Sequence, residues 1–200
     1  MMYQWGRSVI DAFYADPHFG HEKIIEYEKR PFSNVNEMND SLITMYNQVV
    51  GETDTCIWVG DAFLTSYDKS DEILSHLNGK KILVRGNHDG SISRMLKLGF
   101  DIVCENIFVW ICGKSVRISH YPYWDSQSDK RQIEELGQDR IEQLKQKYPQ
   151  RRKGEILIHG HIHGGRRFFQ NMINVGVDAW NYRPVRWSEV ENEVRKMVGE

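Results

Sequence analysis

The stretch "LIHGHIHGG" (residues 157–165) sets His159, His161 and His163 at every second position behind an apolar run. Three origins compete for it: core histidines, a self-contained zinc site, or one corner of a larger site. Histidine is intermediate in burial preference, and three on one strand face need three polar partners, so a core origin is strained. A closed structural zinc site wants four ligands close together, often with cysteine, and no cysteine is near. The other ligands are then expected from elsewhere in the chain.

A pass along the sequence shows where. Residues 8–15 read as a strand stopped by Asp16-Pro17, and residues 55–59 as a buried strand ending at Gly60-Asp61. Residues 81–84 form a third apolar strand that runs out at Arg85-Gly86-Asn87-His88-Asp89. Residues 106–119 read as two strands turning at Cys112-Gly113, with His120 next, and residues 155–158 as the strand before the histidine run.

Helical patterns alternate with these strands. Val35, Met38, Leu42, Met45 and Val49 make a stripe over residues 34–50, with Asn34 and Glu37 at capping-box spacing. A helix from about Ser70 closes at Asn78-Gly79. Ile133, Leu136, Ile141, Leu144 and Tyr148 suggest an amphipathic helix weakened by Gly137, and Ser188 with Glu191 is expected to cap a last helix carrying Val190, Val194 and Val198. Asp16, Asp61, Asn87, His120 and the histidine run all follow an apolar strand. Parallel β-α-β units bring such ends to one edge, where ligand sites form.

Each piece alone has a plain alternative. Asp16 and His18 fit a polar turn, Gly60-Asp61 is a common turn, turn chemistry explains Gly86, Asn87 and Gly90, and His120 sits beside a Tyr-Pro turn. Asp16-Pro17-His18, Gly60-Asp61, Gly86-Asn87-His88-Asp89, His120 and Gly160-His161-Ile162-His163, taken in this order, are another matter. They resemble the calcineurin-like metallophosphoesterase superfamily, whose pattern is D-x-H, G-D, G-N-H-[DE], a lone His, then G-H-x-H. The longer forms "DPHFGH", "VRGNHD" and "VGVDAWNYRPV" resemble a small bacterial and phage subgroup of it.

The resemblance implies an α/β fold: a four-layer α/β/β/α sandwich of two mixed sheets flanked by helices, with residues 1–200 as one domain. It implies Asp16, His18 and His163 on a first metal, Asn87, His120 and His161 on a second, and Asp61 on both, with a metal-bridging hydroxide as nucleophile. Carboxylate, imidazole and amide oxygen suit Mn²⁺ first, with Fe, Zn²⁺, Ni²⁺ or Co²⁺ as alternatives. Two divalent ions against Asp16, Asp61 and one hydroxide leave the site net cationic, which draws in an anionic phosphoester. The implied activity is hydrolysis of a phosphodiester, or of a phosphomonoester, on a small or nucleotide-type substrate.

In the same pattern His88 faces the leaving group as general acid or hydrogen-bond donor. Asp89 would orient His88 or serve only the turn. His159 would give a supporting hydrogen bond to His161, and His21 would meet the substrate phosphate or cap the next helix. Arg183 would reach the mouth of the site or form a surface salt bridge. Trp124, Trp180 and Tyr182 would stack a base or belong to the core.

A net charge of −2 leaves no broad nucleic-acid or membrane surface, so a nuclease acting on single-stranded ends is a lesser rival. The other rival is a metal-binding, catalytically weak interaction module of the same fold. Three cysteines, none in a CxxC pair, argue against a disulfide framework and fit reduced thiols in a cytoplasmic protein. No apolar stretch approaches the roughly 20 residues of a membrane span. The oligomeric state is left open.

Overall fold

Three apolar runs, Ala12–Tyr14 (β1), Thr55–Trp58 (β2) and Lys80–Val84 (β3), pair in parallel in the computed structural model. Residues 9–124, 142 and 145–199 are described. Ile102–Cys104 (β4) extends this sheet in parallel beyond β3, and Val185–Arg186 (β10) closes its other edge antiparallel to β1. The second sheet contains Ile107–Ile111 (β5), Lys114–Ile118 (β6), Ile156–His159 (β7), Phe168–Phe169 (β8) and Met172–Asn174 (β9), in the order β5-β6-β7-β9-β8. There β6, β7 and β9 run parallel, while β5 and β8 are antiparallel to their neighbours. The chain is therefore α/β with two mixed sheets.

Both faces of the first sheet are covered, which is why its strands read as unbroken apolar runs. Phe13, Ile57, Ile82 and Val84 share a core with Val109, Val116, Ile118, Ile158 and Ile173 of the second sheet. The alternate residues Ala12, Tyr14, Cys56, Trp58 and Leu83 pack instead with helical residues. These come from Glu22–Tyr27 (α1), Val35–Asn47 (α2), Tyr67–Ser75 (α3) and Ile92–Leu98 (α4). A last helix, Trp187–Val198 (α5), adds Trp187, Val190 and Val194 to the core between the sheets.

The helix ends show how local chemistry sets boundaries. Asn34 accepts from the N–H groups of Asn36 and Glu37, both at 3.0 Å, while Glu37 Oε2 accepts from Ser33 N at 2.7 Å. The return arm of the cap lands one residue earlier than the expected Asn34. Helix α3 starts at Tyr67, earlier than Ser70, because Ser66 caps it by accepting from Lys69 N at 3.3 Å. Helix α5 is capped at Arg186 rather than Ser188: Glu189 Oε2 accepts from Arg186 N at 3.0 Å. The helix expected around Ile133 to Leu144 lies outside the described residues. Among the described residues no helix is long and apolar enough to cross a membrane.

Candidate metal centre

The C-terminal ends of β1, β2, β3, β6 and β7 meet at one edge, and backbone bonds tie their loops together. Asp16 N donates to Gly60 O at 3.1 Å, His18 N to Asp61 O at 3.2 Å, and Gly160 N to His120 O at 3.1 Å. Two trios of side chains result, Asp16–His18–His163 and Asp61–His120–His161, each with its donor atoms within 4.8 Å of one another. Asn87 stands with the second trio, its Oδ1 3.0 Å from His120 Nε2. Asp61 Oδ2 lies between the two, 3.6 Å from His18 Nε2 and 3.4 Å from His120 Nε2.

The backbone is strained to achieve this. Asp16, His18, Asp61, His161 and His163 all have φ between 49° and 71°, a left-handed conformation that non-glycine residues rarely adopt. The neighbouring glycines leave room for the carboxylates. A Cβ on Gly86 would lie 2.2 Å from Asp61 Oδ1, and one on Gly160 would lie 2.5 Å from Asp16 Oδ2. The glycines in "RGNHD" and "HGHIH" are therefore required by close approach.

The donor atoms of each trio face one another. His120 Nδ1 is 2.9 Å from Val59 O, so it carries the proton and donates to that carbonyl. Its Nε2 then faces Asn87 Oδ1, His161 Nδ1 at 3.2 Å and Asp61 Oδ2. At the first trio Asp16 Oδ1 and both ring nitrogens of His18 are buried with no hydrogen-bond partner. Buried acceptors left unpaired are costly, and clustered oxygen and nitrogen lone pairs are what a divalent cation satisfies. The residues fit such an ion at both positions.

The protonation states agree. Burial pushes His18 down to about 3, and burial with the adjacent His120 charge does the same for His161, so both imidazoles are neutral donors near pH 7. Burial alone would raise Asp61, but the His120 hydrogen bond and charge hold its carboxyl well below the usual range. Burial raises Asp16. Burial would likewise lower His120, yet the Asp61 hydrogen bond and the Asp61 and Asp16 charges raise it.

The remaining expected residues fall in different places. His88 lies at the rim, its side chain 43% exposed and its Nε2 4.0 Å from Asp61 Oδ2. Beside it a cavity of about 230 Å³ opens, lined in part by Phe63, Thr65, Tyr67, Arg94 and Met95. The Asp89 carboxylate accepts from the N–H groups of Asp61, Ala62 and Gly86 at 2.7–3.0 Å, so it ties two loops together. His21 packs 5.7 Å from the His18 ring and gives α1 no side-chain cap. The buried His159 Nδ1 is 2.8 Å from Gly160 O, and burial lowers it to about 4. His161 leaves the strand geometry, and its Nε2 partner is Tyr148 Oη at 3.0 Å. Arg183 is engaged by Glu189 at 2.7 and 2.8 Å on the α5 side. Trp180 is a core residue whose indole donates to Asn174 O at 2.7 Å, and Tyr182 packs edge-on to Phe32.

Four contributors carried no expectation of a role here: Arg30, Asp178, Asn174 and the hydroxyl of Tyr148. Asn174 donates to His163 O at 3.1 Å. Arg30 and Asp178 form a buried ion pair behind the first trio. Asp178 follows the apolar run after β9, the same signal that marked Asp16 and Asp61.

No family model matches the chain. An uncharacterized protein, MJ1445 of Methanocaldococcus jannaschii, is 47% identical over 77 residues, which are 38% of this chain and 44% of that protein. The match thus spans less than half of that relative. The Gene 66 protein of Mycobacterium phage L5 is 28% identical over 193 residues, covering 84% of this chain and 86% of the phage protein. Its counterpart in Mycobacterium phage D29 is 27% identical over 210 residues, 94% and 95% of the two chains. Among solved structures, the protein of unknown function AQ665 from Aquifex aeolicus superposes with a TM-score of 0.67 at 28% identity, covering 91% of this chain and 97% of that one.

Proposed function

We propose that this chain is a two-metal phosphoesterase of the calcineurin-like kind, a four-layer α/β/β/α sandwich that hydrolyses a phosphodiester. The observation that carries the reading is Asp61 Oδ2, 3.6 Å from His18 Nε2 on the side of Asp16 and His163 and 3.4 Å from His120 Nε2 on the side of Asn87 and His161. Asp16, His18 and His163 would hold one divalent ion, Asn87, His120 and His161 the other, and Asp61 both. When bound, the pair supplies positive charge that polarises a phosphoryl oxygen and acidifies water.

The chain's own groups do the rest. Asp61 would face both ions through Oδ2, and its remaining oxygen accepts from His88 N at 2.9 Å, which fixes the carboxylate. His18 and His161 stay neutral and cannot repel a cation. His88 stands at the exposed rim and donates a proton to the departing oxygen, a role worth typically ~10²–10⁴-fold in rate. The cavity flanking His88 receives the leaving group.

The test is hydrolysis of bis-p-nitrophenyl phosphate by EDTA-stripped protein resupplied with Mn²⁺, Ni²⁺, Co²⁺ or Zn²⁺. Metal-dependent turnover, absent in Asp61→Asn, is the expected result. No turnover with any of the four would leave a metal-binding module. Preference for single-stranded oligonucleotides, steeply lowered by salt, would point to a nuclease instead.

A further inference from the structure

We propose that Arg30 and Asp178 are positioning residues for one cation position only. In this proposal, which rests on the two-metal reading, they aim His163 and lock the turn carrying Asp16 and His18. Arg30 follows α1 and is buried, 4% exposed. A buried guanidinium needs acceptors on every side of its fork. Its Nε and one terminal nitrogen each donate to an Asp178 carboxylate oxygen at 2.8 Å. That same terminal nitrogen donates to Asp16 O at 2.9 Å, and the other one donates to Pro17 O at 2.8 Å.

Those two carbonyls belong to the turn in which Asp16 (φ 56°) and His18 (φ 49°) are both left-handed. A strained turn persists only when its surroundings over-determine it, and a fixed cation fork on two successive carbonyls does that. Asp178 works from the opposite side. It sits on a 3-10 turn, Val177–Ala179, whose Val177 N donates to Ala15 O at 3.0 Å. Its Oδ2 lies 3.3 Å from His163 Nδ1 and takes the ring proton there, so the other ring nitrogen is left as the free donor. The ring is further stacked on His18, with centroids 5.0 Å apart and planes 17° apart. One ion pair between residues 148 apart in sequence thus holds both the Asp16–His18 turn and the His163 ring.

The second trio is supported separately. His120 is held by Val59 O and His161 by Tyr148. Removing the outer partner of a ligating histidine typically weakens metal binding by about 10–100-fold. The hydrogen bonds of Arg30 and Asp178 reach none of Asp61, His120 and His161, so that loss should fall on one ion and spare the other.

The experiment is calorimetric titration of Mn²⁺ into EDTA-stripped, full-length protein, with electron paramagnetic resonance of the product and thermal melting of the metal-free chain. Wild type is expected to take two ions per chain and show a spin-coupled pair. Asp178→Asn is expected to bind one ion with wild-type affinity and the other about 10–100-fold more weakly. The coupled signal then gives way to that of an isolated Mn²⁺. Arg30→Lys keeps the charge, loses the fork and should weaken the same ion by a smaller factor; it carries the test if Asp178→Asn does not fold. Two ions bound as in wild type, or both weakened alike, would overturn the inference while leaving the two-metal reading intact. No ion bound by wild type would overturn both.

Discussion

Asp89 Oδ2 accepts the backbone N–H of Asp61 at 2.9 Å, a bond between loops 28 residues apart that sets where the shared carboxylate can sit. The same oxygen accepts from Gly86 N at 2.7 Å, and Oδ1 accepts from Ala62 N at 3.0 Å. The acceptor is buried, so all three bonds form away from water. Asp89→Asn keeps the shape but turns an N–H₂ group towards backbone donors. Hydrogen bonds to a charged group contribute about 1.5–3 kcal/mol each, and part of this would be recovered by the remaining amide oxygen. A loss of roughly 2–4 kcal/mol is expected in urea unfolding of the metal-free protein. A change below about 0.5 kcal/mol, the range of ordinary surface substitutions, would mean that the tie does not hold the loops.

His88 and Asp61 give a different kind of prediction. The His88 ring is at the rim and is not a member of either trio. His88→Asn should therefore lower kcat by about 10²–10⁴-fold on the diester while Mn²⁺ stoichiometry stays at the wild-type value. Parallel loss of metal would show that the ring supports the ions and does not serve the leaving group.

The strand exits were legible because each apolar run ends in a breaker. Asp16-Pro17, Gly60-Asp61 and Gly86-Asn87 announce where β1, β2 and β3 stop, and the parallel pairing then brings them to one edge. What sequence patterning could not express is which buried polar group faces which. Arg30 has no periodic partner, and its carboxylate lies 148 residues away. Tyr148 fits an apolar stripe whether or not its hydroxyl meets a histidine. The alternation that put His159 and His161 on one face failed because His161 leaves the strand with φ 71°. Short elements such as α4, β4 and β10 give too few residues for a period, and the α5 cap falls at Arg186, which is not a capping residue by type.

Gly160 tests the space around Asp16. A Cβ there would sit 2.5 Å from Asp16 Oδ2 and 2.8 Å from the Ala15 Cβ. Neither neighbour can move freely, since Asp16 Oδ2 also accepts from His161 N at 2.9 Å. Gly160→Ala should destabilise the fold by about 1–3 kcal/mol, the usual range for overpacking, and weaken Mn²⁺ binding in the same preparation. A variant that melts and titrates like wild type would show that the loops have slack.

Tyr148 is the counterpart for the second trio. Its hydroxyl lies 3.0 Å from His161 Nε2, on the far side of the ring from Nδ1, which is 3.2 Å from His120 Nε2. Tyr148→Phe keeps the ring packing against Tyr121 and Trp124 and removes the hydroxyl beside His161. Weaker binding of one Mn²⁺ by roughly 10-fold is expected, with the melting temperature of the metal-free chain little changed. An unchanged titration would assign the tautomer to the metal alone.

Glu189 supplies a pH dependence that does not involve the centre. Its carboxyl is held below the usual value, first by hydrogen bonds from Arg183 and then by the Arg186 N–H it caps. A carboxylate whose folded value is depressed stabilises the fold fully above its unfolded value of roughly 4.3 and loses that contribution as pH falls through the lower folded value. Gln at this position would still accept from Arg186 N, so the charge-dependent part is that of a partly exposed, screened ion pair, about 0.2–1 kcal/mol. Urea melts of wild type and Glu189→Gln should then differ by about that amount near pH 7, and the gap should close as the pH falls below the unfolded value. A gap that instead widened on acidification would reverse the sign of the linkage and rule out a charged cap at this position.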